Sequence, residues 1–309
     1  MSTGTDNSRR FYEAEVKPLI HNEFGQYEGR IAVGLAGEGS DCFGYDDFMS
    51  RDHDFGTGVC LWLTDEDFRL FGAELSKAYN DLAARQPGNN LSARLQERRG
   101  VMTIHDFYSN ILNIDCDTEN CIISDSDWQA LDHSCLATAV NGEVFRDDPG
   151  VFLAFRKKLL DYYPDHIWRI RLMNELHSFA QALQVNYARC MTRGDVVAAR
   201  LCHMQGLKSA MELFFLLKRL YPPYYKWTFR RMTEVDNKGR FSGLIKQLSE
   251  APCDVSKWDS PYDPHRLNTK DNIVVLTEEI ASEIVAMLRA KGLTEGFDPY
   301  LERYVNELY

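Results

Sequence analysis

The sequence predicts an α+β protein in two parts: a mixed sheet with helices over residues 1–145, then a helical bundle over 146–309. Three observations predict it. Short apolar runs, Ile31 to Leu35 and Val59 to Leu63, have the length of buried strands and are bounded by Gly, Ser and Asp. Helix-start signals such as Thr64-Asp65-Glu66-Asp67 follow them, with hydroxyl and carboxylate groups placed at the positive end of a helix dipole. Beyond Asn141 the pattern changes to long amphipathic stretches.

In chain order, Phe11, Val16, Leu19 and Ile20 recur at helical intervals and predict a helix over 8–24, with Ser8 as its N-cap. The first strand is expected over 30–36 and the second over 52–63, joined by an ordered loop or short helix over 42–50. A helix over 64–84 ends before Gln86-Pro87-Gly88-Asn89-Asn90. A third strand is expected over 100–104, a short helix over 105–112, an irregular acidic stretch over 113–124, and a helix over 125–136 capped by Ser124 or Asp125. Residues 142–150 read as a turn-rich join. The bundle is expected from helices over 152–162, 164–188, 195–221, 239–248, 270–291 and 298–308, with Pro222-Pro223 ending the third of them.

Composition narrows the function classes. A net charge of −11 argues against a general nucleic-acid binder, while leaving room for a local basic pocket. No apolar run approaches the roughly 20 residues that span a bilayer, and the polar start of the chain lacks a signal-peptide core. The 8 cysteines form no CxxC pair and no zinc spacing, which fits free thiols in a cytoplasmic protein.

The chemistry concentrates at Gly37-Glu38-Gly39-Ser40-Asp41 and Ser50-Arg51-Asp52-His53-Asp54. On a strand, residues two apart share a face, so Asp52 and Asp54 would project side by side, about 7 Å apart along the backbone. Two such carboxylates can converge on one or two Mg²⁺ ions, which take oxygen ligands and share them with phosphates. Gly39 lets backbone N–H groups approach a phosphate, and Ser40 adds a hydroxyl donor. His53 would face away from the two carboxylates, and Arg51 would pair with a loop acid such as Asp46 or Asp47.

Gly39-Ser40, followed eleven residues later by Asp52-His53-Asp54, resembles the signature of the nucleotidyltransferase-fold, polymerase-beta-like superfamily. Phe43-Gly44-Tyr45-Asp46-Asp47, Gly142-Glu143-Val144-Phe145, Tyr163-Pro164-Asp165-His166-Ile167-Trp168 and Tyr221 to Trp227 extend the likeness to a bacterial domain-of-unknown-function family, number 4037. The resemblance implies Mg²⁺-dependent transfer of a nucleoside monophosphate from a nucleoside triphosphate to an acceptor hydroxyl. Asp52 and Asp54 would be the catalytic metal ligands, and Gly39 and Ser40 would hold the phosphates.

Active members of that superfamily commonly carry a third carboxylate on a later strand, and the run Gly100-Val101-Met102-Thr103-Ile104 has none. His105, Asp106, Asp115 and Asp117 follow it as candidates for a third acid or base, with Asp106 equally readable as a helix N-cap. The resemblance to antibiotic nucleotidyltransferases points to lysines of the helical half as triphosphate contacts. Lys208, within an apolar helix face, is either a snorkelling side chain or aimed into an interdomain cleft. Lys226, among aromatics in Tyr224-Tyr225-Lys226-Trp227, is a nucleotide contact or part of an amphipathic loop. Arg169, Arg171, Asn174, Glu175 and His177 form a polar stripe that reads first as a solvated face. The acidic chain favours a small-molecule acceptor, such as a cationic one of the aminoglycoside type, over nucleic acid, with a protein acceptor as a further option. The rival readings are an inactive or regulatory nucleotide-binding module, and hydrolysis or cyclisation at the same metal site.

Overall fold

The computed structural model describes residues 4–47, 56–86, 99–258, 263 and 266–308. The chain divides into two compact units, 1–162 and 163–309, so the division follows the helix Val151–Leu160 rather than preceding it.

Among the described residues, the first unit holds a four-stranded mixed sheet in the order β3-β2-β1-β4. The strands are β1 (Ala32–Leu35), β2 (Cys60–Leu63), β3 (Gly100–Thr103) and β4 (Glu143–Arg146). β1 runs antiparallel to β2, with Gly34 opposite Cys60, and antiparallel to β4. β2 and β3 are parallel, with Cys60 beside Gly100 and Leu63 beside Thr103. β1 and β2 are buried along their whole length, as strands covered on both faces must be.

Side chains alternate between the two covers. Val33, Leu61 and Leu63 pack against α1, which runs without a break through Gly4–Phe11, Tyr12–Val16 and Lys17–Glu23, and against α2, through Asp65–Asp67, Phe68–Gly72 and Ala73–Ala83. On the opposite face Trp62 stacks on Phe152 at 3.8 Å and meets Phe107 edge-on at 5.3 Å. Those rings come from α3 (Ile104–Leu112) and α6 (Val151–Leu160); α4 (Asp125–Ala130) and α5 (His133–Ala139) lie between them in sequence. Gly34 makes room for this layer, since a Cβ there would lie 2.5 Å from the Glu143 carbonyl and 2.9 Å from the Trp62 ring.

The second unit is helical: α7 (Asp165–Phe179, Ala180–Asn186 and Tyr187–Thr192), α8 (Val196–Lys218), α9 (Tyr225–Val235), α10 (Arg240–Glu250), α11 (Asn272–Ala290) and the short α12 (Glu302–Val305). Trp168 of α7 donates to the Leu216 carbonyl of α8 at 2.9 Å, and His203 of α8 is bonded to the Leu248 carbonyl of α10 at 2.8 Å. Where α7 packs on α8, Gly206 leaves room for Leu183; a Cβ would lie 2.2 Å from Leu183 Cγ. Buried Asp271 caps α11 and also accepts from Tyr187 and Trp258.

Several expectations change. Ser8 is no N-cap: the chain is already helical at Gly4, and Ser8 is buried within the helix. The stretch 142–150 contains a strand, because Glu143 to Arg146 pairs along β1. The helix expected over 125–136 is two helices, because Asp132 accepts from the Ser134 N–H and starts a second one. Tyr225 to Val235 is helical rather than a loop. The expected second strand is present as Cys60–Leu63, and residues 52–55 lie outside the described residues.

Candidate functional site

The Gly-Ser turn leaves β1 directly. Gly37 and Gly39 have φ of +98° and +126°, a region that disfavours side chains. Asn141 clamps the turn from both sides: the Gly37 N–H donates to its Oδ1 at 2.8 Å, and its Nδ2 donates to the Gly37 carbonyl at 2.7 Å. Gly142 follows with φ +68°, where a Cβ would fall 2.0 Å from the Leu35 carbonyl.

Asp41 folds back over Gly39, and a Cβ on Gly39 would meet Asp41 Oδ1 at 2.3 Å. Its other oxygen accepts from Arg99 Nη2 at 3.0 Å. Arg99 is buried, and the same nitrogen lies 3.4 Å from Cys42 Sγ. Burial pushes the Cys42 and Cys60 thiols up, which makes them poor nucleophiles. The N-terminus of α1 closes the turn from outside: the Gly4 N–H donates to Asp46 Oδ2 at 3.1 Å, and Thr5 donates to the Asp41 carbonyl at 3.0 Å. The Ser40 hydroxyl has no hydrogen-bond partner among the described residues.

Strand direction decides which candidates share this end of the sheet. Because β1 and β2 are antiparallel, the turn lies where β2 begins. Arg99 precedes β3 at the same end, since Gly100 pairs with Cys60. Asp52, His53, Asp54 and Arg51 lie outside the described residues. His105 and Asp106 follow Thr103, at the opposite end of the sheet. From there α3 runs back, so that Phe107 and Ile111 border Gly37.

Three of the four candidate acids and bases do meet one another. His105 Nε2 is 2.8 Å from Asp115 Oδ1 and 3.4 Å from Ser109 Oγ, and His105 Nδ1 is 3.5 Å from Asp106. The hydrogen bond to Asp115 holds the imidazole above its ordinary pKa. Asp106 is not the cap of α3; Thr103 is, accepting from the Asp106 N–H at 2.8 Å. Asp117 stands apart in a turn of its own, accepting from the Asn120 backbone at 3.0 Å. Among the described residues, no group of three or more His, Cys, Asp or Glu is arranged to hold a metal.

Both lysines are exposed side chains of the second unit. Lys208 belongs to a stripe with Val197, Leu201 and Met204 that faces solvent instead of packing. Its charge acts on Glu175 of α7, a carboxyl that burial pushes up. Lys226 sits in the first turn of α9 with its ammonium 5.1 Å from the Trp227 ring. The polar stripe of α7 is structural at its ends, where Arg169 pairs with Asp165 at 2.8 Å and His177 with Glu302 at 2.8 Å.

Sequence reasoning missed Arg99 and Asn141. Arg99 is one basic residue of an Arg-Arg-Gly stretch, and nothing local marks it as buried. Asn141-Gly142 is a turn signal, although its partner is 104 positions upstream.

The first unit is thus an α+β fold with a glycine-serine turn at the end of a central strand, and the second is helical. Residues 128–228 match the family model of a domain of unknown function (DUF4037), and that stretch covers part of each unit. No curated protein and no solved structure matches the chain.

Proposed function

We propose that the chain is a Mg²⁺-dependent nucleotidyltransferase that moves a nucleoside monophosphate from a nucleoside triphosphate to a hydroxyl, on a small-molecule acceptor. One observation carries the reading. The antiparallel pairing of β1 and β2 puts the Gly37–Ser40 turn at the sheet end where β2 begins, and Asp52-x-Asp54 stands between the two in sequence. The donor set fits magnesium by its chemistry, since two carboxylates offer hard oxygens. Held by Asp52 and Asp54, the ion would neutralise phosphate charge.

The other roles fall to the chain's own groups. Ser40 donates its hydroxyl and Gly39 its N–H to phosphate oxygens. The acceptor oxygen forms a bond to the α-phosphorus, the bond to the bridging oxygen breaks, and pyrophosphate leaves with that electron pair. The acceptor proton passes to a base that must lie within hydrogen-bond reach. The position of His105 and Asp106 at the far end of the sheet argues against either as that base.

A binding module without turnover is the second reading, and Asp41 favours it. Its close approach gives Gly39 a reason to be glycine with no phosphate present. Mass spectrometry of a reaction with nucleoside triphosphate, Mg²⁺ and a panel of cationic hydroxylated acceptors separates the readings. A nucleotidylated acceptor with pyrophosphate supports the proposal. A nucleoside diphosphate, a cyclic nucleotide, or unchanged triphosphate contradicts it.

A further inference from the structure

We propose that α9 and the tyrosine before it form a binding surface for single-stranded nucleic acid, with Tyr224, Tyr225 and Phe229 as base platforms and Lys226 and Arg230 as phosphate contacts. The chain carries a net −11, yet residues 218–240 hold seven Lys or Arg and two Asp or Glu. That segregation makes a basic segment in an acidic chain, within which Arg219 pairs with Asp165, Arg231 with Glu234 and Arg240 with Glu283. Repulsion is felt where the segment meets α11: burial, then Arg219 and Lys218, holds the Lys291 ammonium below its ordinary pKa.

The patch is also aromatic, and the rings face outward. Tyr225 is 78% exposed, Tyr224 48% and Phe229 36%. Leaving three rings in water forgoes the burial energy that a packed helix face would gain. Tyr225 and Phe229 are four residues apart and share a stripe, and Lys226 and Arg230 form the neighbouring stripe. The Tyr224 and Tyr225 rings touch, with centroids 4.2 Å apart and planes tilted by 49°. Arg230 lies 5.6 Å from the Trp227 ring and 3.7 Å from Glu234, with 45% of its side chain exposed.

Alternating flat rings and cations are the means by which single strands are held without sequence preference. A double helix would hide its base faces from these rings. A free mononucleotide would call for a concave pocket, whereas this is one face of an 11-residue helix. The inference does not depend on turnover at Asp52 and Asp54.

Fluorescence anisotropy with labelled 12-nucleotide oligouridylate and oligothymidylate, using the whole chain between 50 and 200 mM salt, tests it. Binding should weaken steeply with salt. Tyr225→Ala with Phe229→Ala should weaken it about tenfold or more. Lys226→Ala with Arg230→Ala should lower the salt slope by roughly 1.4, about 0.7 per lost phosphate contact. Lys77→Ala with Lys157→Ala, the same charge change elsewhere on the surface, should do neither. Circular dichroism identical to wild type keeps the readings on the surface. Absence of binding overturns the inference. So does equal loss in the control variant, unchanged affinity without the rings, equal binding to heparin or to anionic vesicles, or displacement by ATP mole for mole.

Discussion

Arg99 donates from Nη2 to Asp41 Oδ2 at 3.0 Å, with 4% of its side chain exposed against 18% for the aspartate. The pair bridges the residue before β3 and the turn after β1, so it fixes the turn to the sheet end where β2 begins. The two partners are not equivalent. Removing the carboxylate takes one charged partner from a buried cation, whereas removing the guanidinium leaves an acid with some access to water. Asp41→Ala should therefore cost about 1.5–3 kcal/mol, and Arg99→Met measurably less. Urea unfolding with unchanged slope checks this, and equal losses in the two variants would contradict it.

Gly142 should tolerate no side chain. Its φ of +68° and the Leu35 carbonyl 2.0 Å from a would-be Cβ both oppose alanine. Relief requires moving backbone, which separates β4 from β1. Gly142→Ala should destabilise by well over about 1 kcal/mol. Gly150 also has a positive φ but nothing near its Cβ position, so Gly150→Ala should cost less. Thermal unfolding of the two variants gives the comparison.

Asn141 should matter through both of its bonds to Gly37. Asn141→Asp keeps an acceptor for the Gly37 N–H but loses the donor to the Gly37 carbonyl. Asn141→Ala loses both and should cost about 1–3 kcal/mol, with the aspartate variant between it and wild type. Hydrogen exchange at Gly37 should rise in the alanine variant.

His105 gives the fold a pH dependence of known sign. Its pKa is raised in the folded state, first by Asp115, while the unfolded imidazole titrates near 6.5. The stabilisation is fully present below the unfolded value and is lost as pH rises through the higher folded value. Asp115 is exposed, so the effect on stability is small, and the titration itself is the better readout. NMR should place the His105 midpoint above about 6.5, and Asp115→Asn should lower it. A midpoint unmoved by that variant would contradict the assignment.

The strands of the sheet core were legible because Ile31 to Leu35 and Val59 to Leu63 are apolar runs flanked by turn residues. The Thr64 cap was legible for the same local reason, and its hydroxyl does accept from the Asp67 N–H. β4 escaped because Glu143 is exposed, the other three residues are only partly buried and the strand carries charges at both ends, so its one-sided pairing with β1 left no hydrophobic run. α9 escaped because Pro222-Pro223 and a dense aromatic cluster resemble a loop, and its exposed rings blur the amphipathic pattern. The expected apolar face of α8 was a true periodicity pointing to solvent at Leu201 and Met204. Periodicity finds an apolar stripe but not what covers it. At the candidate site the glycines and Ser40 could be read from the motif, while Arg99 and Asn141 could not, because their partners are distant in sequence.

The central claim is that Asp52 and Asp54 serve phosphate chemistry beside the turn. The direct measurement is Mg²⁺-dependent consumption of nucleoside triphosphate by wild type and by Asp52→Asn and Asp54→Asn. Loss of an outer-shell partner of a metal ligand already costs about 10–100-fold, so loss of a ligand should cost more than about a hundredfold. Turnover that needs Mg²⁺ and falls to background in both variants is the predicted result. Turnover at the wild-type rate in both variants would contradict the account.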